Sequence, residues 1–202
     1  MVKLHYAPGS RAVRVAWALE ELGLDYDVAR YALGSPEMRN PEFRRTHPMG
    51  RVPVLEDGGQ VLFESGAIIQ YLLARYGDGR LQPSVEDPEF GPYLQWFHYA
   101  EGMIMPPMNQ IVVETRLLPE DRRSEVHAKR AVKLLGQMLT AVEAHMEGRE
   151  FLAGAFSAAD IMTGHAVIMA GRLGADMSGM PNLQGYGARL EARPAFQAAE
   201  SV

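Results

Sequence analysis

The sequence contains no cysteine. That excludes disulfide staples, thiolate zinc sites, iron–sulfur clusters and every mechanism built on an enzyme-borne sulfur nucleophile. Any sulfur chemistry must therefore use a sulfur that arrives with a ligand. Positive charge is also short: 20 lysines and arginines stand against 25 aspartates and glutamates, a formal net charge of −5, with a pI near 5.7. No global positive field gathers phosphate backbones, so nucleic-acid binding is disfavoured. Long apolar runs are missing as well. The start, Met-Val-Lys-Leu-His-Tyr, has no secretory h-region, and the most apolar later stretch, Ile161 to Gly171, falls far short of a membrane span. A cytoplasmic protein without a membrane partner is expected. No G-x-G-x-x-G, Walker A or G-x-S-x-G motif occurs, which leaves nucleotide cofactors and serine-hydrolase chemistry without support.

What is present is ordinary globular material, 202 residues that are 47% hydrophobic and 22% charged, enough for one large domain or two small ones. Val2 to Tyr6 alternates apolar and polar as a half-buried strand does, and Ala7-Pro8-Gly9 stops it. Val15, Ala18, Leu19 and Leu22 then recur at helical spacing up to a Gly23 stop. Tyr26 to Tyr31 reads as a second strand, and the βαβ order implies a parallel pair with a right-handed crossover. Residues 34–50, broken by Pro36, Pro41 and Pro48, read as a loop with a short irregular helix. Val52 to Glu56 and Gln60 to Phe63 form a hairpin across Asp57-Gly58-Gly59, followed by a helix over Ser65 to Tyr76.

A proline-flanked connector, 81–88, ends this half, and everything beyond it has helical spacing. One helix is predicted from about Glu89 towards Arg116, bent near Pro106-Pro107, and another from about Pro119 to Met146. Further helices are predicted at Ala158 to Leu173, Asn182 to Ala192 and Pro194 to the end. The expected architecture is α/β plus all-α: a βαβ-ββα domain over residues 1–80, a linker over 81–88 and an all-helical domain over 89–202.

Several residues have both a structural and a chemical use. Pro53 cannot donate to a sheet ladder, so it either protects an edge or sits in a cis Val52-Pro53 bond that offers the Val52 backbone to an extended peptide. Ser65 follows a strand and opens a helix, where its hydroxyl and the backbone N–H groups can cap the helix or receive a ligand carboxylate, with Glu64 beside it to accept from an ammonium. Ser10, near the start of the first helix, can cap it or donate to a thiolate. Ser157-Ala158-Ala159-Asp160 is a capping-box sequence with Phe156 as its staple and Ile161 as the partner. His98-x-x-Glu101 has metal-compatible spacing but no matching second pair, so no metal is expected. Arg39, Arg44, Arg45 and Arg51 form a solvated basic face or hold a ligand carboxylate.

The ordered set of these segments resembles the cytosolic glutathione transferase superfamily. K-L-H-Y-A-P-G-S-R-A-V-R-V-A-W-A-L-E-E-L-G-L is similar to its first strand and helix. N-P-E-F-R-R-T-H-P-M-G-R-V-P-V-L-E-D-G-G is similar to the segment around its cis-proline, L-F-E-S-G-A-I-I-Q-Y-L to its glutamate-serine motif, and F-S-A-A-D-I to its capping box. The resemblance spans essentially the whole chain. It implies a thioredoxin-like N-terminal domain, an all-helical C-terminal domain, a homodimer, and glutathione as co-substrate. Val52 would pair with the cysteinyl backbone of glutathione with Pro53 cis, Glu64 and Ser65 would hold the γ-glutamyl end, and Arg51, with Arg39 as a second candidate, would face the glycyl carboxylate. Ser10 would stabilise the thiolate, with Tyr6 as the alternative and Arg11 contributing charge.

A pocket for a small hydrophobic electrophile is expected between the domains, with Trp96, Tyr99, Met103, Met105 and His165 as candidate lining and Met169 behind them. The implied reaction is conjugation. A glutathione-dependent isomerase, dehalogenase or ether-cleaving enzyme, or a non-catalytic binding module of the same fold, stand as alternatives.

Overall fold

The computed structural model describes all 202 residues and divides into two compact units, Met1–Ser84 with Glu191–Val202, and Val85–Leu190. The first unit contains β1 (Val2–Tyr6), α1 (Ala12–Leu22), β2 (Tyr26–Arg30), a 3-10 turn (Pro36–Arg39), α2 (Pro41–Thr46), β3 (Val54–Asp57), β4 (Gln60–Phe63) and α3 (Ser65–Tyr76). Its sheet has the order β2-β1-β3-β4, with β1 parallel to β2 and the other pairs antiparallel. Leu4, Leu55, Val15, Leu19, Ile68, Ile69 and Leu72 are fully buried in its core, where α1 and α3 pack together on the sheet. A second cluster, Met38, Phe43 and Val54 with Tyr31 and Val52 against it, seats α2.

α1 is buried nearly all round, including Arg14 and Trp17. A helix without a solvent face needs cover on both sides, and the C-terminal helix, α9 (Pro194–Ser201), supplies the second. The Phe196 ring packs edge-on against Trp17 at 4.8 Å. Arg193 makes a two-pronged contact with Glu21 at 2.7 and 2.9 Å, and Tyr6 donates to the Ala199 carbonyl at 2.9 Å. The sequence reading places residues 191–202 in the helical domain; in the structure they group with the sheet.

The helical unit runs through α4 (Phe90–Tyr99), a π-helical turn (Ala100–Ile104), α5 (Met105–Val112), a second π turn (Val113–Leu117), α6 (Glu125–His145), a third π turn (Asp160–Gly164), α7 (His165–Arg172) and α8 (Pro181–Glu191). Pro106 and Pro107 fall in the first turn of α5, where a missing N–H is tolerated because the π turn before them has already left the i→i−4 pattern. α6 begins later than predicted. The Ser124 hydroxyl accepts from His127 N–H, and the buried Glu114 carboxylate accepts from Ser124 N–H at 2.8 Å and from the Gln110 side chain at 2.7 Å.

At the third π turn Asp160 is fully buried and accepts from the Leu152 and Ser157 backbone N–H groups, the Ser157 hydroxyl and the Tyr186 phenol. Burial raises its carboxyl pKa, and the donors, which favour the ionised form, offset part of that. No helix is long and apolar enough to cross a membrane.

Candidate functional site

One row of the sheet register, His5 opposite Val54 and Val54 opposite Phe63, fixes the site. Three chain segments leave or enter the sheet just beyond it: the turn after β1, the Arg51-Val52-Pro53 approach to β3, and Glu64-Ser65 after β4. Antiparallel pairing of β1, β3 and β4 therefore brings Ser10, Val52 and Ser65, far apart in sequence, to one end of one sheet. Arg39 joins them, because a Cβ built on Gly50 would lie 3.8 Å from the Arg39 Cα, so the 3-10 turn lies against the loop that carries Arg51.

The Val52-Pro53 peptide bond is cis, and β3 begins only at Val54, so Val52 stands outside the strand ladder. Glu64 is exposed and has φ +76°, in the left-handed region. For a residue with a Cβ, sparsely populated backbone of this kind costs on the order of 1–3 kcal/mol and clusters at functional sites. Ser65 is buried and opens the twelve-residue α3, whose first N–H groups face the sheet end with no side-chain cap from Glu64.

Ser10 is half-buried before α1. Its hydroxyl donates to the Ala7 carbonyl at 2.6 Å and accepts from Ala12 N–H at 3.1 Å. Arg11 follows as the N-cap residue of α1, without a side-chain cap bond. Tyr6, the alternative to Ser10, is fully buried with its hydroxyl proton committed to Ala199, and burial pushes its phenol pKa up. Both hydroxyls donate to a backbone carbonyl, so accessibility separates them: Tyr6 is fully buried, whereas Ser10 is half-buried.

The five residues expected around an electrophile lie in the helical unit, and most of them are interior. Trp96, Met105 and His165 are buried. The Trp96 ring lies 4.8 Å from Tyr99 and 4.5 Å from His145, and Tyr99 donates to the Met138 carbonyl at 3.1 Å. Met103 is 43% exposed. An unbroken α-helix would put Trp96, Tyr99 and Met103 on one face, but the π turn at Ala100–Ile104 interrupts that face and rotates the residues after Tyr99 away from it. A cavity of about 380 Å³ beside α5 and α6, walled by Pro106, Pro107, Ala131 and Leu134, contains none of the five. No group of three or more metal-ligating side chains is present.

Sequence reasoning missed two residues in the loop before Arg51. His47 is buried and takes the Met49 N–H on Nδ1 at 3.1 Å. Gly50 has φ +62°, and a Cβ there would lie 2.2 Å from the Met38 carbonyl oxygen. Backbone cannot yield by that much, so Gly50→Ala must displace the loop that carries Arg51 and Val52. The expected result is a stability loss of about 1–3 kcal/mol, measured by thermal unfolding, and, for any ligand that Arg51 and Val52 hold, a rise of at least about tenfold in the dissociation constant, measured by calorimetry. Adjacency to Arg51 is the only signal the sequence holds for Gly50.

The family model "Glutathione S-transferase, N-terminal domain" matches residues 1–74, and "Glutathione S-transferase, C-terminal domain" matches residues 104–194. The chain is 31% identical to Glutathione S-transferase 3 of Zea mays over 210 residues, covering 97% of this chain and 91% of the relative. It is 30% identical to Disulfide-bond oxidoreductase YfcG of Escherichia coli strain K12 over 208 residues, 96% and 92% of the two chains. Its fold superposes with a TM-score of 0.88 on a glutathione transferase from Pseudomonas putida solved with one glutathione disulfide per subunit, at 28% identity, covering 100% of this chain and 91% of that one.

Proposed function

Because the chain belongs to the glutathione S-transferase family, we propose that this enzyme, a glutathione transferase, holds glutathione across the sheet end where Ser10, Val52 and Glu64 meet. The observation that carries this reading is the His5–Val54–Phe63 register row, which gathers three differently equipped segments at one place. Val52 supplies a free backbone N–H and C=O for the cysteinyl residue, as an added strand would. The first turn of α3 and the Ser65 hydroxyl receive the γ-glutamyl carboxylate, and Glu64, aimed outward by its left-handed backbone, accepts from the adjacent ammonium. Arg51 faces the glycyl carboxylate, with Arg39 alongside.

Ser10 is the thiolate-stabilising residue. Its hydroxyl swings from the Ala7 carbonyl to the sulfur, while Ala12 N–H stays on Oγ and polarises it. The thiol proton leaves to solvent, the sulfur lone pair forms a bond to an electrophilic carbon, and the leaving group departs with its electron pair. The electrophile is small and hydrophobic, and of the five candidates Met103 is the side chain exposed enough to meet it. The enzyme acts in the cytoplasm as a homodimer, as the family resemblance implies.

Calorimetric titration with glutathione tests the site. Saturable binding is expected, weakened about tenfold in Glu64→Gln by loss of one charge-assisted bond; absence of binding in the wild type overturns the reading.

The Escherichia coli relative favours a second reading, reduction of a small disulfide. Bound glutathione thiolate attacks one sulfur and expels the other as a thiolate. A second glutathione then attacks the mixed disulfide, giving glutathione disulfide and the second thiol, with no protein cysteine required. Parallel assays with 1-chloro-2,4-dinitrobenzene and with 2-hydroxyethyl disulfide separate the two reactions.

A further inference from the structure

His47 ends α2 and starts the loop that delivers Arg51 and Val52. Two contacts from this one residue shape that loop: its Nδ1 accepts the Met49 N–H at 3.1 Å, and its carbonyl accepts the Gly50 N–H at 2.8 Å. Only an unprotonated nitrogen can accept, so the proton of the neutral ring is on Nε2. The residue is 7% exposed, and its ring lies 4.8 Å, centroid to centroid, from Phe63, the residue before Glu64. The charged groups acting on it are Arg51 from its own loop and Glu64 from the end of β4. Burial, then Arg51, pull its pKa below the ordinary histidine value; Glu64 and the residue's own backbone oppose them.

We propose that His47 is a pH-responsive positioning residue of the glutathione site: its neutral imidazole sets the 47–51 loop so that Arg51 and Val52 meet the ligand, and protonation releases that loop. The proposal rests on the glutathione reading above. A protonated Nδ1 is a donor facing the Met49 donor, so the bond is lost, and the new cation is buried beside Arg51. Because the folded-state pKa is depressed, the arrangement is intact above the ordinary histidine value of about 6.5 and is lost only as pH falls through the folded-state pKa beneath it.

The test is binding of S-methylglutathione, which has no thiol to titrate, by calorimetry at pH 7.5 and 5.0. Wild-type affinity is expected to fall at least about threefold at the lower pH. The side-chain oxygen of an asparagine can accept the same N–H without titrating, so His47→Asn should change by less than about twofold over that interval while keeping near-wild-type affinity at pH 7.5. A wild-type ratio within twofold, or the same ratio in His47→Asn, overturns the proposal. No binding at pH 7.5 overturns instead the glutathione reading beneath it. If His47→Asn does not fold, nitrogen-detected NMR of the wild-type imidazoles decides: an unprotonated Nδ1 at pH 7.5 that gains its proton below pH 6.5 is expected, and an Nδ1–H tautomer overturns the proposal.

Discussion

Ser10→Ala is expected to raise the pKa of the bound glutathione thiol by about two units and to lower kcat/KM at pH 6.5 by about five- to tenfold, a thiolate loss of about fiftyfold partly offset by higher nucleophilicity. A free thiol of pKa about 8.5 is only a few per cent ionised near neutrality, and a drop of two units, about 2.7 kcal/mol, makes it mostly thiolate. Ser10 is the one hydroxyl in the first turn and stands at the amino end of the eleven-residue α1, where partial positive charge also favours an anion. The effect shrinks at high pH, because above the shifted pKa the thiol ionises unaided. The acid limb of the pH–rate profile should therefore move up by about two units while the plateau changes by less, since nucleophilicity rises with thiol pKa. Glutathione affinity should stay within about threefold, because Val52, Glu64 and Ser65 are untouched. Ultraviolet difference spectra of the bound thiolate measure the shift directly, and an unmoved limb would remove Ser10 from the mechanism. Tyr6→Phe should leave the limb in place and cost about 1 kcal/mol of stability, the worth of its bond to Ala199.

Asp160→Ala destabilises the protein by about 4 kcal/mol, or about 8–16 °C in melting temperature for a chain of this size. The carboxylate accepts four bonds, at 3.0 Å from Leu152 N–H, 2.9 Å from Ser157 N–H, 3.2 Å from the Ser157 hydroxyl and 2.8 Å from Tyr186. Its removal strands two backbone donors and a buried phenol together, at about 1–3 kcal/mol for each group left unsatisfied, with partial relief from relaxation. Asp160→Asn keeps one acceptor oxygen but turns an amide donor toward donors, so about half the loss should remain. Tyr186→Phe should cost only about 1 kcal/mol, as it removes one donor and strands none. Thermal unfolding followed by circular dichroism checks the series. A loss below about 3 °C in Asp160→Ala would show that Asp160 is not the knot of the helical unit.

Local patterns made much of the first unit legible. β1, β4, α1 and α3 occupy the predicted spans because strand alternation, the Gly23 stop and the Asp57-Gly58-Gly59 turn are all short-range signals. Glu64 and Ser65 were legible for the same reason: a strand must end and a helix begin there. A constant period of 3.6 predicts the helical half, and three π turns break it. Met103 on the surface, with Trp96 in the core, is the result of one such break. The late start of α6 depends on Glu114, ten residues before the Ser124 N–H that it holds. His47 and Gly50 were missed because their roles arise in the folded loop, from the Met49 N–H and the Met38 carbonyl.

The bonds from α9 to β1 and α1 impose an order on synthesis. The sheet unit is translated first, yet the cover for Trp17 and the acceptor for Tyr6 are residues 196 and 199. On the ribosome α1 can pack against β1 and α3 at once, but its second face stays uncovered until residues 194–201 have been made. At about 5–20 residues per second, the intervening stretch leaves that surface waiting for roughly ten to forty seconds, an interval in which exposed apolar surface is prone to aggregate.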